Sequence, residues 1–248
     1  MNQVMVITGA SRGIGAATAR LAAARGYTVC INYRSNSQAA EAIVDEITAS
    51  GGRAIAVAGD VSIEADVMRL FETAERQLGA IGALVNNAGI LERQGRVETI
   101  DAQRLARIFG VNVTGSFLCA REAIRRMSTK HGGAGGAIVN VSSMAARLGA
   151  PNEYVDYAAA KGAIDTFTIG LAKEVADEGI RVNAVRPGII DTDIHASGGE
   201  PDRIERLKDL VPMKHGGRPE EVANAILWLL SDEASYSTGT FIDICGGR

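Results

Sequence analysis

The chain has 248 residues, 26 lysines and arginines against 29 aspartates and glutamates, and an apolar share of 46%. A length of this order suits one α/β domain around one sheet, so residues 1–248 are expected to form a single domain. Balanced charge without any basic block excludes the electrostatic footprint of a nucleic-acid binder or a membrane-surface protein and leaves a small-molecule partner.

In chain order, the first apolar run starts at Val4, too early for a charged and apolar leader to precede it. It predicts a strand over 4–7. Helices are then expected over 14–25, 38–49, 63–78, 102–127, 154–177 and 219–231, alternating with strands over 28–32, 54–58, 83–85, 137–141, 180–185 and 241–244. Ser62 reads as an N-cap, Pro219 as a first-turn residue, and Gly26, Gly51 and Gly179 as left-handed helix ends. Residues 132–136 read as a surface loop. Residues 189–217 are irregular, with Gly198-Gly199 and many charges, and suggest a lid. Near-continuous apolar strands alternating with helices predict an α/β, doubly wound, seven-stranded parallel sheet covered on both faces. No stretch approaches the roughly 18 apolar residues of a membrane span. Cys30, Cys119 and Cys245 are odd in number, far apart and in apolar settings, as buried free thiols are. A soluble, cytoplasmic protein is expected.

The first strand runs into Thr8-Gly9-Ala10-Ser11-Arg12-Gly13-Ile14-Gly15, a glycine turn opening a helix, where a pyrophosphate can approach bare backbone. Its spacing, G-x-x-x-G-x-G, departs from the commoner G-x-G-x-x-G. After the second strand comes Asn32-Tyr33-Arg34-Ser35, without the acid that would bind a ribose 2′-hydroxyl. Arg34 and Arg12 can instead grip a 2′-phosphate, because a guanidinium matches phosphate geometry; NADP(H) is therefore expected over NAD(H). Solvated surface arginines are the plainer alternative.

Tyr157 and Lys161 stand four apart on a predicted helix and so share a face. A cation beside a phenol lowers its pKa toward the working range and equips it for proton transfer. Tyr154 has Ala158 at the matching position and is set aside. His131, His195 and His215 share no ligand spacing, so no metal is expected.

Together, Thr8 to Gly15, Asn86-Asn87-Ala88-Gly89, Asn112-Val113-Thr114-Gly115, Ser142-Ser143, Tyr157 to Lys161 and Pro187-Gly188 resemble a classical short-chain dehydrogenase/reductase over essentially the whole chain. The resemblance implies a Rossmann-type fold and a tetrad of Asn112, Ser143, Tyr157 and Lys161. In it Ser143 bonds the substrate oxygen, with Ser142 as the second candidate, and Tyr157 transfers the proton. Lys161 holds the nicotinamide ribose, and Asn112, at a helix kink, links Lys161 to solvent. The same resemblance implies cofactor contacts from Gly9, Ser11, Arg12, Gly13, Ile14 and Gly15 in the turn, and from Asn32, Tyr33, Arg34 and Ser35 after the second strand. Asp60 and Val61 would meet the adenine, and Asn87, Ala88 and Gly89 would lie under the adenosine ribose. Pro187 and Gly188 would shape the loop from which the Ile190 backbone and Thr192 reach the carboxamide. Asn86 is assigned to the sheet.

The function this implies is hydride transfer between NADP(H) and a carbonyl or secondary alcohol, the substrate being such a small molecule. Three enzyme readings stand open: a 3-oxoacyl-carrier-protein reductase, a sugar or polyol dehydrogenase resembling glucose 1-dehydrogenase, and a broad carbonyl reductase. Lys130 and Lys173 could dock an acidic acyl carrier protein, or could simply be helix-end cations. A catalytically silent nucleotide sensor is the reading from another class. Residues 145–153, with Arg147 and Pro151, and the lid residues Ile194, His195 and Met213 are expected to line the substrate pocket. Relatives of this kind pair the helices over 102–127 and 154–177, and the last helix and strand with Trp228, into a homotetramer, which is the expected assembly.

Overall fold

A computed structural model describes residues 3–248, apart from the side chains of His195 and Ser197. Seven strands form one parallel sheet: β1 (Val4–Ile7), β2 (Thr28–Tyr33), β3 (Arg53–Ala58), β4 (Ile81–Asn86), β5 (Gly136–Val141), β6 (Ile180–Pro187) and β7 (Phe241–Ile244), in the order β3-β2-β1-β4-β5-β6-β7. Alternate residues of each strand feed two cores, as the pleat requires. Met5, Ile7, Val29 and Ile31 pack under helices α1 (Gly13–Ala24), α2 (Ser37–Ala49) and, late in the chain, Pro219–Leu230. Val4, Val6 and Cys30 pack against α3 (Glu64–Leu78) and the two long helices that follow β4 and β5. Burial on both faces explains why these strands read as continuous apolar runs.

The predicted helix over 102–127 is interrupted. Helix α4 (Ala102–Phe109) passes into a π turn at Gly110–Thr114 and continues as α5 (Gly115–Met127). The insertion lies against strand ends, with Gly115 so close to Val61 that a Cβ would meet Val61 Cβ at 3.0 Å. A short helix that the sequence did not signal, α6 (Ala145–Leu148), precedes α7 (Val155–Glu174), which stops three residues before its predicted end and yields to a 3-10 turn. The irregular segment carries two more short helices, α8 (Ile194–Ser197) and α9 (Arg203–Leu207), and is pinned at its base by a bridge between Ile190 and Gly217. The last helix is α10 (Pro219–Leu230).

Ser62 is not the N-cap of α3: the helix starts at Glu64, and the Ser62 amide and hydroxyl both donate to Asp60 Oδ1, at 2.9 and 2.6 Å. Gly26, Gly51 and Gly179 do take positive φ. Cys30 and Cys119 are buried free thiols whose pKa burial pushes up to about 12, and Cys245 is partly exposed and also free. No helix among the described residues is long and apolar enough to cross a membrane.

Candidate active site

The sheet order reverses between β1 and β4, and a cleft of about 950 Å³ opens at the carboxyl ends of the strands there. The glycine turn forms its floor because three segments meet where no Cβ fits. Gly9, at φ +60°, would put a Cβ 2.9 Å from Ala88 Cα, and Gly15 would put one 2.5 Å from Asn87 Nδ2. Thr8 Oγ1 accepts from the Asn87 and Ala88 amides, each at 3.0 Å, and Asn87 Nδ2 donates to the Thr8 and Gly9 carbonyls at 2.8 and 3.0 Å. From the other side Asn32 Oδ1 accepts from Gly9 N at 3.2 Å while its amide donates to Gly59 O at 3.0 Å. Asn32 and Asn87 thus tie the turn to β2 and β4, with their side-chain hydrogen bonds already committed to backbone. Asn86 belongs to the sheet, donating to Asn140 Oδ1 at 2.9 Å.

Every expected cofactor position lines this cleft except Gly15 and Tyr33. Gly15 is buried within the turn. Tyr33 follows Asn32 on the strand and therefore points to the opposite face, where it packs against the α1–α2 core. Arg34 is 65% exposed and only 3.8 Å from the Asp60 carboxylate, whose other oxygen is held by Ser62. Arg12, also exposed, makes no ion pair among the described residues. Two under-neutralised guanidinium groups therefore flank the end of β2. Thr192 closes the far side, 3.2 Å from where a Gly13 Cβ would stand.

At the other end of the cleft Ser143, Tyr157 and Lys161 come together. The Tyr157 phenol faces the Ser143 hydroxyl, and Lys161 Nζ lies 5.5 Å from the centre of the Tyr157 ring while donating to Val141 O at 2.7 Å. Burial governs both groups. It pushes Tyr157 up to about 12, against the weaker downward pull of the Ser143 hydrogen bond, and Lys161 down to about 8, against the support of Asp165. The expected depression of the phenol by its lysine is therefore absent, because the ammonium faces the ring and Val141 O and both groups are taken out of water. Tyr157 is a phenol, poised to give a proton.

Asp165, one turn beyond Lys161, carries no sequence signal by itself. It accepts from Ser142 Oγ at 2.6 Å and Arg186 Nε at 2.9 Å. Ser142 also lines the cleft, but its hydroxyl is thereby engaged by Asp165, whereas Ser143 faces Tyr157. Asn112 does not line the cleft. Buried in the π turn, it accepts from Ile90 N at 3.0 Å and donates to the Ile90 and Ile108 carbonyls at 3.1 and 3.0 Å. It adjoins Lys161 across Gly89, where a Cβ would stand 2.9 Å from Asn112 Oδ1 and 3.7 Å from Lys161 Nζ.

The substrate half departs further from expectation. Pro151 and Ile194 line it, but Arg147 turns outward to Asp243 at 2.9 Å and Met213 is 61% exposed outside it. The His195 side chain lies outside the described residues. Tyr154, set aside from the sequence, forms part of the wall, as do Arg203, Leu207 and Leu210 of the irregular segment. Their irregular spacing offered no periodic signal. Lys130 is engaged by Asp177 and Glu178, at 3.1 and 3.2 Å.

Comparison with known proteins places this geometry. A family model described as Enoyl-(Acyl carrier protein) reductase matches residues 9–248. The chain is 57% identical over 245 residues to the protein named uncharacterized oxidoreductase YgfF of Escherichia coli (strain K12), covering 99% of each chain. It is 36% identical to glucose 1-dehydrogenase 2 of Bacillus subtilis (strain 168), covering 98% of this chain and 93% of that one. The solved 3-ketoacyl-(acyl-carrier-protein) reductase from Brucella melitensis, complexed with NADH, superposes with a TM-score of 0.91 at 35% identity, over 99% of this chain and 98% of that one. With its seven-stranded parallel sheet and a match along nearly its whole length, the chain belongs to the short-chain dehydrogenase/reductase family of nicotinamide-dependent oxidoreductases.

Proposed function

We propose that this single-domain protein is an NADP(H)-dependent oxidoreductase that interconverts a carbonyl compound and a secondary alcohol, with Tyr157 as the general acid and base. The observation that carries the reading is the Ser143–Tyr157–Lys161 group, its lysine buried and its serine and tyrosine half-buried, at the end of a cleft whose other end is a glycine turn flanked by Arg12 and Arg34.

The cleft fits a dinucleotide. Gly9 and Gly13 have the positive φ that leaves backbone bare at the mouth of α1, and the Arg12 and Arg34 guanidinium groups stand where a 2′-phosphate would lie. Bound there, the nicotinamide supplies or takes the hydride. Asp60 and Val61 would border the adenine, and Gly89 and Lys161 the nicotinamide end, with Thr192 and the Ile190 backbone beside the carboxamide. In reduction the Ser143 hydroxyl and the Tyr157 phenol donate to the carbonyl oxygen, and Tyr157 gives up its proton as charge develops there. The Lys161 ammonium, supported by Asp165, stabilises the resulting phenolate and orients the ribose. Asn112 holds the π turn and the 90 loop beside Lys161, the place from which solvent would return a proton. In oxidation the phenolate takes the alcohol proton.

A homotetramer is proposed on the apolar residues left exposed on α4, α5 and α7 (Leu105, Phe109, Phe117 and Ile169) and on Trp228 of α10. Acyl-carrier-protein docking finds less support, since Lys130 is already neutralised. The test is oxidation of NADPH, and separately of NADH, against β-ketoacyl thioesters and diketones, with sugars and polyols in reverse. Turnover is expected with NADPH, and Tyr157→Phe should lose about 10²–10⁴-fold in kcat while still binding NADPH. Tight NADPH binding without turnover of any of these would favour a sensor.

A further inference from the structure

Among the described residues, three buried side-chain polar atoms without a hydrogen-bond partner cluster beside the substrate half of the cleft, which Tyr154 and Arg203 line: Gln94 Nε2, Tyr154 Oη and Arg203 Nη1. They come from the loop after β4, the residue before α7 and the first turn of α9, and Glu153 draws them together. Its carbonyl accepts from Gly95 N at 3.0 Å and its carboxylate from Arg203 Nη2 at 2.6 Å. The Tyr154 hydroxyl faces the Gln94 amide, and the Arg203 guanidinium lies over the Tyr154 ring, 5.0 Å from its centre. Buried donors left unpaired are costly, and native structures keep few of them. Tyr154 and Arg203 stand on the wall of the cleft and the Gln94 amide lies against the Tyr154 hydroxyl, so the cluster marks a place beside the cleft that a ligand completes.

We propose that Gln94, Tyr154 and Arg203 form a second polar subsite that takes a neutral acceptor oxygen of the substrate, a hydroxyl, ketone or ester carbonyl, remote from the carbonyl that reacts at Tyr157. The inference rests on the reading of Tyr157 as the acid. All three groups can donate, so their ligand is an acceptor. Charge selects a neutral one. Arg203 is matched by Glu153, and Arg206 by Glu200 at 2.8 Å, which leaves no surplus positive charge, and a substrate carboxylate on Arg203 would stand beside that of Glu153. Spacing sets the size. Tyr154, just before α7, and Tyr157, in its first turn, both line the cleft, so a single small substrate can meet both hydroxyls. An oxygen across a six-membered ring meets this. The three atoms are shielded from bulk water, so binding entails a small shift of the segment bearing Arg203.

The experiment compares NADPH-dependent reduction of 4-hydroxycyclohexanone and cyclohexane-1,4-dione with that of cyclohexanone, 4-methylcyclohexanone and 4-oxocyclohexanecarboxylate. It uses the full chain and its Tyr154→Phe and Arg203→Met variants, with thermal melting as a check on folding. Wild type should favour the neutral oxygenated ketones by at least about tenfold in kcat/KM, since a site built to bond an oxygen rejects the analogue lacking it. That ratio should fall toward one in Tyr154→Phe, which keeps the ring, and in Arg203→Met. Equal kcat/KM on all the ketones, or a preference for the carboxylate, overturns the subsite; if Tyr157→Phe is inactive in the same assays, the hydride-transfer reading survives that loss. No turnover of any of these ketones by an enzyme that binds NADPH overturns the subsite, and only if the β-ketoacyl thioesters, diketones, sugars and polyols fail as well does the hydride-transfer reading fall with it.

Discussion

The two ends of the cleft are built by different means. The nucleotide end is backbone: Gly9, Gly13 and Gly15 bring chain against chain, and Asn32, Asn87 and Thr8 bond carbonyls and amides rather than offering themselves outward. The substrate end is made of long side chains from segments far apart in sequence, Tyr154, Glu153 and Arg203 above all, on short helices and loops. Backbone construction presents a surface that depends little on residue identity, which suits a cofactor shared across a family. Side-chain construction lets one substitution change what fits, which suits a substrate.

Beyond the loss in Tyr157→Phe, the sharpest test of this contrast adds a single methyl group. Gly15→Ala would place Cβ 2.5 Å from Asn87 Nδ2 and 2.8 Å from Ala10 Cα. It should cost about 1–3 kcal/mol in denaturant unfolding and weaken NADPH binding with it. By contrast Gly162→Ala, inside α7 with nothing within 4 Å of the new Cβ, should stabilise by about 0.5–1 kcal/mol. Equal effects at the two positions would mean that the turn has slack.

Next come the arginines, the one part of the nucleotide end that reads by side chain. Arg12→Ser or Arg34→Ser should each weaken NADPH binding about tenfold or more, from the loss of charged hydrogen bonds worth ~1.5–3 kcal/mol, and leave NADH binding unchanged. Equal losses for the two cofactors in titration would show that neither arginine reads the 2′-phosphate.

The smallest effect is a shift in pH. Burial holds Lys161 at about 8, below the ordinary 10.5, so its ammonium is present below about 8 and is lost as pH rises through it. The kcat/KM for reduction should fall across that window. Asp165→Asn removes the carboxylate that favours the charged form, and the fall should move to lower pH. The same depression means that between about 8 and 10.5 the unfolded chain holds more protons than the folded one, so this group's contribution to stability rises with pH there. A pH profile identical in Asp165→Asn would detach Asp165 from the site.

Features carried by short-range periodicity were legible in the sequence. The alternation of apolar strands and helices produced the sheet, the glycine turn lies at the mouth of α1, and the four-residue spacing put Tyr157 and Lys161 on one side of α7. The differences share a cause as well. Sequence proximity groups Tyr33 with Asn32 and Arg34, yet strand alternation packs it, half-buried, against the core on the opposite face. Arg147 was assigned to the pocket by its segment, yet Asp243, 96 residues on, draws it outward.

By itself, then, the sequence determined the order of elements and the types of chemical group available, because these follow from steric preference and apolar period within a few residues. Only the tertiary structure decided which groups meet and in what state. It placed Asp165 behind Lys161 and Arg203 over Tyr154, and it made burial rather than mutual charge the governor of Tyr157 and Lys161. Desolvation depends on everything packed around a group, and no spacing within one segment encodes that.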